Sequence, residues 1–355
     1  MVDNSASSPP VVVRPRAAGA APSSNRNSRH VSRYPPRQTF AALDLGTNNC
    51  RLLIARPDGD RFVVVDAFSK IVRLGEGLTA TGKLSDLAID RALSALSICA
   101  EKLMRRNVTL ARSVATEACR RADNGAAFVA RVYSETGIKL DVIAPQEEAR
   151  LAVLGCHSVL EPGDGIALIF DIGGGSTELV LVDTSGDQPR TLDWLSVPWG
   201  VVSLSEAEPH DHDDPAIRAK GYARMVARVG DSFTAFVTRM PKPGAAPLRL
   251  LGTSGTVTTL ASVHLGLPAY DRRQIDGLHV PIAAMRNISN KLASLSLKDR
   301  AALPCIGTER ADLVVAGCAI LEAILNIWPA ARVGIADRGI REGILRQLMS
   351  SGVRA

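Results

Sequence analysis

Asp171 and Glu178 stand seven residues apart across Gly173, Gly174, Gly175, Ser176 and Thr177, with apolar runs before and after. Carboxylates are hard oxygen ligands of the kind Mg²⁺ takes. Glycines without a Cβ let backbone N–H groups come close to a phosphate. A strand, a tight turn and a returning strand would carry them. An ordinary hairpin with a glycine-rich turn explains one such segment equally well. A second segment decides between the two: an apolar run from Ala41 reaches Asp44, then Gly46, Thr47, Asn48 and Asn49, then a further apolar run to Ala55. The two aspartates lie 127 residues apart, the size of a domain rather than of a solenoid repeat. Two like lobes with facing turns could hold a phosphate chain between them.

Other segments carry weaker signals. Glu147 and Glu148 follow Pro145, and acidic residues behind a proline suit the first turn of a helix without any further role. Gly252 to Thr256 follows an apolar run and opens a helix, where N–H groups can bind an anion; structural turn and ligand loop stand equal there. Gly77 to Leu84 resembles a P-loop, but Leu84 occupies the place where Ser or Thr must reach Mg²⁺. His210 to Asp214, between Pro209 and Pro215, reads as a solvated acidic loop. No Gly-x-Ser-x-Gly elbow and no Cys–His pairing points to covalent catalysis.

The elements that would position these groups follow from periodicity. Phe62–Phe68 and Ile71–Leu74 read as strands. Ser85 is placed to cap a helix through Leu87, Leu93, Leu96, Cys99 and Leu103. Helices are expected near 128–135, 216–239, 282–295 and 311–327, and opening at Gln146 and at Ile340, with strands near 113–116, 140–144, 248–251 and 333–336. The 355 residues suit two domains, and the charge of +6 is mostly local. Six arginines against Asp3 give residues 1–38 a net +5, which leaves +1 for the rest. The body therefore shows no footprint for nucleic acid. The Ser-, Pro- and Arg-rich start reads as a disordered basic tail. No apolar run approaches the length of a membrane span. The six cysteines are scattered without a Cys-x-x-Cys pair, as in a reduced, cytoplasmic protein.

In order and spacing, residues 39–349 resemble the exopolyphosphatase and guanosine-pentaphosphate phosphatase family of the actin, sugar kinase and Hsp70 superfamily. The resemblance rests on both glycine turns, Ala115 to Arg120, Glu147 to Leu151, Gly252 to Thr256 and Asp337 to Gly343. It implies an α/β fold of two actin-like (ribonuclease H-like) lobes with a cleft between them, in a short form without a C-terminal helical extension. Residues 39–160 would form the first lobe and 161–355 the second, its closing helix returning toward the first.

The implied activity is release of terminal orthophosphate from inorganic polyphosphate with Mg²⁺. The alternatives are guanosine pentaphosphate 5′-phosphohydrolysis or a weakly catalytic alarmone-binding regulator. By resemblance Glu148 is the general base, and Arg120 with Asn124 holds phosphate. Asp44, Asp171 and Glu178 would hold Mg²⁺, and the two turns, Gly46 to Asn49 and Gly173 to Thr177, would grip the chain. The implied partners are polyphosphate or guanosine pentaphosphate, with no nucleic acid and no membrane insertion; a homodimer is left open. Asn49 and Cys50 depart from the family's first turn, where Ser and a bulkier residue are common.

Overall fold

The computed structural model describes residues 38–352 apart from 60, 162, 164, 187–188 and 241–247, so the basic tail up to residue 37 lies outside the described residues. Strands β1 (Phe40–Leu45), β2 (Asn49–Asp58), β3 (Arg61–Ile71), β4 (Leu110–Ala115) and β5 (Leu140–Val142) form one sheet in the order β3-β2-β1-β4-β5. A second sheet contains β6 (Ile166–Ile172), β7 (Thr177–Asp183), β8 (Arg190–Val197), β9 (Arg249–Thr253), β10 (His279–Pro281) and β11 (Arg332–Ala336), ordered β10-β11-β9-β6-β7-β8.

Both sheets follow one plan. An antiparallel meander (β1-β2-β3, then β6-β7-β8) is extended on its first strand by parallel strands reached through helical crossovers. The central strands β1 and β6 are apolar on both faces and almost wholly buried, as strands covered by helices on two sides must be. The carboxyl ends of parallel strands in such sheets are where ligands bind. Asp44 and Asp171 stand at those ends.

Two helices join the sheets. The helix Pro145–Cys156 places Leu151 and Ala152 in the core of the first sheet, and Ala149, Val153 and Cys156 in that of the second. The closing helix Ile340–Gly352 buries Ile340, Ile344, Leu345 and Leu348 against Phe40, Ala42, Leu53 and Val114 of the first sheet. The two helices meet backbone to backbone. A Cβ on Gly343 would lie 2.1 Å from the Leu151 carbonyl oxygen, and one on Gly155 would lie 1.9 Å from that of Gly339. In an open helix Gly→Ala stabilises; here the obstacle is rigid backbone, so overpacking decides the sign. Gly343→Ala should destabilise by about 1–3 kcal/mol, seen as a lower denaturant midpoint with an unchanged slope.

Most expected elements form where expected. Ser85 Oγ accepts from the Ala88 N–H at 3.3 Å and caps the helix Asp86–Arg105, whose buried face is Ala88, Ile89, Ala92, Leu93, Leu96 and Cys99. Leu87 points outward instead, 74% exposed. Three further expectations are corrected. The stretch 72–74 is not a strand: β3 ends at Ile71, and the N–H groups of Val72 and Arg73 turn to the Asn48 carbonyl at 2.8 and 3.0 Å. The helix expected from Ala311 starts at Val314, because residues 309–313 form a turn at the cleft. The 210–214 loop is not simply solvated. His210 is buried and bonded to the Ala293 carbonyl, Asp211 pairs with the fully buried Arg300, and Asp214 caps the helix Pro215–Arg239. The cysteines are free, with all but Cys305 buried. Among the described residues no helix is long and apolar enough to cross a membrane.

Candidate active site

The carboxyl ends of β1, β4, β6, β9 and β11 open on one cleft, whose wall includes Asp44, Thr116, Asp171, Ser254 and Asp337. The two glycine turns face each other across it and touch. A Cβ on Gly174 would lie 2.9 Å from Asn48 N, and one on Gly175 would lie 2.6 Å from Thr47 Oγ1. Any side chain at either position would push the lobes apart, which is the physical reason for glycine there.

The second turn is also supported from behind. The N–H groups of Val201 and Val202 donate to the Gly173 and Gly174 carbonyls at 3.0 and 2.8 Å, and Ser203 Oγ donates to the Gly175 carbonyl at 3.1 Å. Gly200 passes so close that its Cβ would lie 2.3 Å from the Gly174 carbonyl carbon. With the carbonyls held from behind, the N–H groups of Gly174, Gly175 and Ser176 make no hydrogen bond among the described residues. A turn with unsatisfied N–H groups lining a cleft is an anion cradle.

Four carboxylates surround this cradle. Asp171 and Glu178 are directly opposed across the β6–β7 ladder, so their side chains share a face. Burial pushes Asp171 up to about 6, and Asp44 adds to the rise. Burial and then Asp171 push Glu178 up to about 7, opposed by hydrogen bonds from Ser176 and Ser196. Asp44 is also raised by burial, against Arg51 and Arg341, and its buried Oδ1 has no hydrogen-bond partner among the described residues. Glu148, 7% exposed, is raised well above the ordinary carboxylate range by burial and then by Glu178, with Arg120 opposing. Arg120 Nη1 donates to its Oε2 at 3.0 Å.

The expected residues separate into those at the wall and those elsewhere. Gly46, Thr47, Asn48, Asn49, Glu148, Asp44, Asp171 and Gly173 to Ser176 line the cleft. Glu178 and Thr177 stand just behind it: Glu178 accepts from Ser196 Oγ at 2.8 Å, and Thr177 Oγ1 donates to the Trp199 carbonyl at 2.7 Å. Arg120 does not present a free fork to the cleft. It donates to Glu117 at 2.7 and 3.2 Å, to the Ile143 carbonyl at 2.6 Å and to Glu148. Asn124 is not brought to the site, since its amide clasps the N–H and carbonyl of Leu84 at 2.9 Å each. Glu147 is held outward by Arg112 and Arg150, as a helix-supporting residue should be.

The cleft also carries cations that no local sequence pattern marks as ligands. Arg51, Arg310, Arg338 and Arg341 all line it. Arg51 follows Asn49 by two residues on β2, so strand alternation puts both on one face. Burial holds the Arg341 guanidinium below its ordinary value, and it forms no ion pair among the described residues. Ser254, left-handed at φ 80° although not glycine, donates its hydroxyl to the Ile172 carbonyl. Backbone strain of this kind clusters at functional sites.

Comparison with known proteins gives the family. Two curated proteins of Mycobacterium tuberculosis strains, each named exopolyphosphatase 2, are 33% identical over 298 residues, covering 80% of this chain and 89% of theirs. The crystal structure of an exopolyphosphatase from Cytophaga hutchinsonii superposes with a TM-score of 0.78 at 25% identity, over 88% of this chain and 98% of that one. The Aquifex aeolicus member of the Ppx/GppA family gives 0.72 at 26% identity, over 89% and 99%. Residues 53–351 match the Ppx/GppA phosphatase family throughout, and the chain, an enzyme by that descent, belongs to this family.

Proposed function

We propose that this protein is an exopolyphosphatase that removes the terminal orthophosphate from inorganic polyphosphate by attack of water. The observation that carries the reading is the contact of two glycine turns from two sheets, one with unsatisfied N–H groups, beside a buried carboxylate fixed by an arginine. The turns grip successive phosphates through N–H groups, and Arg51, Arg310 and Arg341 neutralise the oxygens that flank them. Glu148 Oε2 is occupied by Arg120, so Oε1 is the oxygen that takes the proton of the attacking water. The water oxygen bonds to the terminal phosphorus, and the bridging oxygen departs with the shortened chain. Phosphoryl transfer needs positioning and charge neutralisation more than covalent help. Arg120 acts through Glu148 and Glu117 rather than on phosphate.

Asp44, Asp171 and Glu178 suit Mg²⁺. They are hard oxygen donors, and the buried Asp44 Oδ1 is without a partner among the described residues. Among the described residues no three His, Cys, Asp or Glu side chains stand close enough to hold a metal unaided, so water and phosphate oxygens would complete the sphere, as Mg²⁺ prefers. When bound, the ion supplies charge neutralisation at the phosphate. The same reading makes 39–160 and 161–355 two actin-like lobes, and places the protein in the cytoplasm, where its free cysteines stay reduced. Phosphate release from polyphosphate, guanosine pentaphosphate and ATP, measured side by side, tests it. Polyphosphate should have the highest kcat/KM; a preference for guanosine pentaphosphate would replace the substrate, and no release from any of the three would end the enzymatic reading.

A further inference from the structure

Residues 72–77 leave β3 and bridge the two lobes beside the first glycine turn. On one side their backbone is tied to the first glycine turn. Val72 and Arg73 donate N–H groups to the Asn48 carbonyl, and Gly75 donates to that of Thr47 at 2.9 Å. A Cβ on Gly75 would lie 2.3 Å from Thr47 Cγ2, so the fit there is close. On the other side the loop grips the second lobe. Arg73 reaches both carboxylate oxygens of Asp312 at 2.7 and 3.2 Å and donates to the Glu309 carbonyl at 3.1 Å, while Gly77 N–H donates to Glu206 at 2.7 Å.

Arg73 adopts φ 47°, in the left-handed region that a long side chain rarely enters. Arg91 secures that conformation from within the first lobe, donating to the carbonyls of Val72 and Arg73 at 2.8 and 3.1 Å and to Glu76 at 2.6 Å. Between Glu309 and Asp312 lies Arg310, which lines the cleft and donates to Thr259 Oγ1 at 3.1 Å.

We propose that Arg73 is a positioning residue: by pairing with Asp312 across the lobes it latches the cleft shut and sets the distance between Arg310 and the Thr47–Asn48 turn. A bidentate arginine–carboxylate pair fixes geometry as well as charge. Its loss shifts the lobes toward an open form, and apparent affinity falls by the fraction that remains closed. Only the kinetic arm of the test rests on the polyphosphatase reading.

The test is a charge swap. With polyphosphate of defined length, Arg73→Glu and Asp312→Arg should each raise KM about three- to tenfold while kcat stays within about twofold. The double variant should return KM toward wild type, the signature of direct coupling. A merely structural role would instead lower kcat through lost active molecules and leave KM alone. A second arm needs no turnover. A fluorophore pair at the exposed Leu87 and Ile217, in a Cys305→Ser background, should report a longer inter-lobe distance in each single variant and its recovery in the swap. Unchanged KM and distance in both single variants, or a swap that restores neither, overturns the latch. If the wild type released no phosphate the function proposed above would fall, and the distance measurement would still decide this one.

Discussion

Glu148→Gln is expected to lower kcat for phosphate release about a hundredfold or more, the usual loss for a general base, with KM within a few-fold of wild type. The substitution keeps shape and hydrogen bonding. Arg120 Nη1 still finds an oxygen at the position of Oε2, and the helix Pro145–Cys156 keeps its packing on both sheets. It removes a buried negative charge from the neighbourhood of Glu178 and Asp44, which already disfavour that charge, so the fold does not suffer. A fall in kcat and kcat/KM together is the mark of an interaction made in the transition state alone. Single-turnover phosphate release, with binding of polyphosphate measured in parallel, reads both. Activity within a few-fold of wild type would sink the assignment. Glu147 could not then take over, being held outward by Arg112 and Arg150. Glu117, which shares Arg120 and lies against Gly175, would be the next base to test.

How far the site was legible in the sequence depended on the range over which each residue acts. Asp44, Asp171 and the two turns are local: apolar runs on either side make the strands, glycine makes the turn, and the strand end places the carboxylate. Glu148 needed the resemblance, because Pro145 and two acids behind it satisfy a helix start with no cleft in view. Asn124 is hard to read locally because its partner, Leu84, is forty residues away; nothing local shows that its amide is already used. The cleft arginines went unread for the same reason. Arg51, Arg310 and Arg341 come from three distant segments, and each looks like a surface cation until the parallel strand ends converge. Arg73 is the extreme case. Its φ and its partner Asp312, 239 residues on, exist only once both lobes are assembled, and the apolar residues Ile71, Val72 and Leu74 around it continue a strand pattern that the backbone abandons.

Glu178→Gln is expected to move the Mg²⁺ dependence of the initial rate to higher concentration by about tenfold or more, or to collapse its maximum. Glu178 sits opposite Asp171 in the ladder, and among the described residues no cation is bonded to it; its bonding partners are the hydroxyls of Ser176 and Ser196. Two buried carboxylates side by side disfavour each other's charge unless a cation compensates. Glutamine keeps the acceptor for Ser196 and removes that repulsion, so in chelator the melting temperature should hold or rise. A residue serving only the hairpin would behave in the opposite way, leaving the Mg²⁺ curve alone and costing stability when its hydrogen bonds are altered. Stabilisation by Mg²⁺ without substrate adds a reading free of turnover, since a ligand raises stability by its affinity for the folded state; that increment should shrink in the variant. Superimposable rate curves for the variant and wild type would remove Glu178 from the metal site and leave Asp44 and Asp171 as its carboxylates.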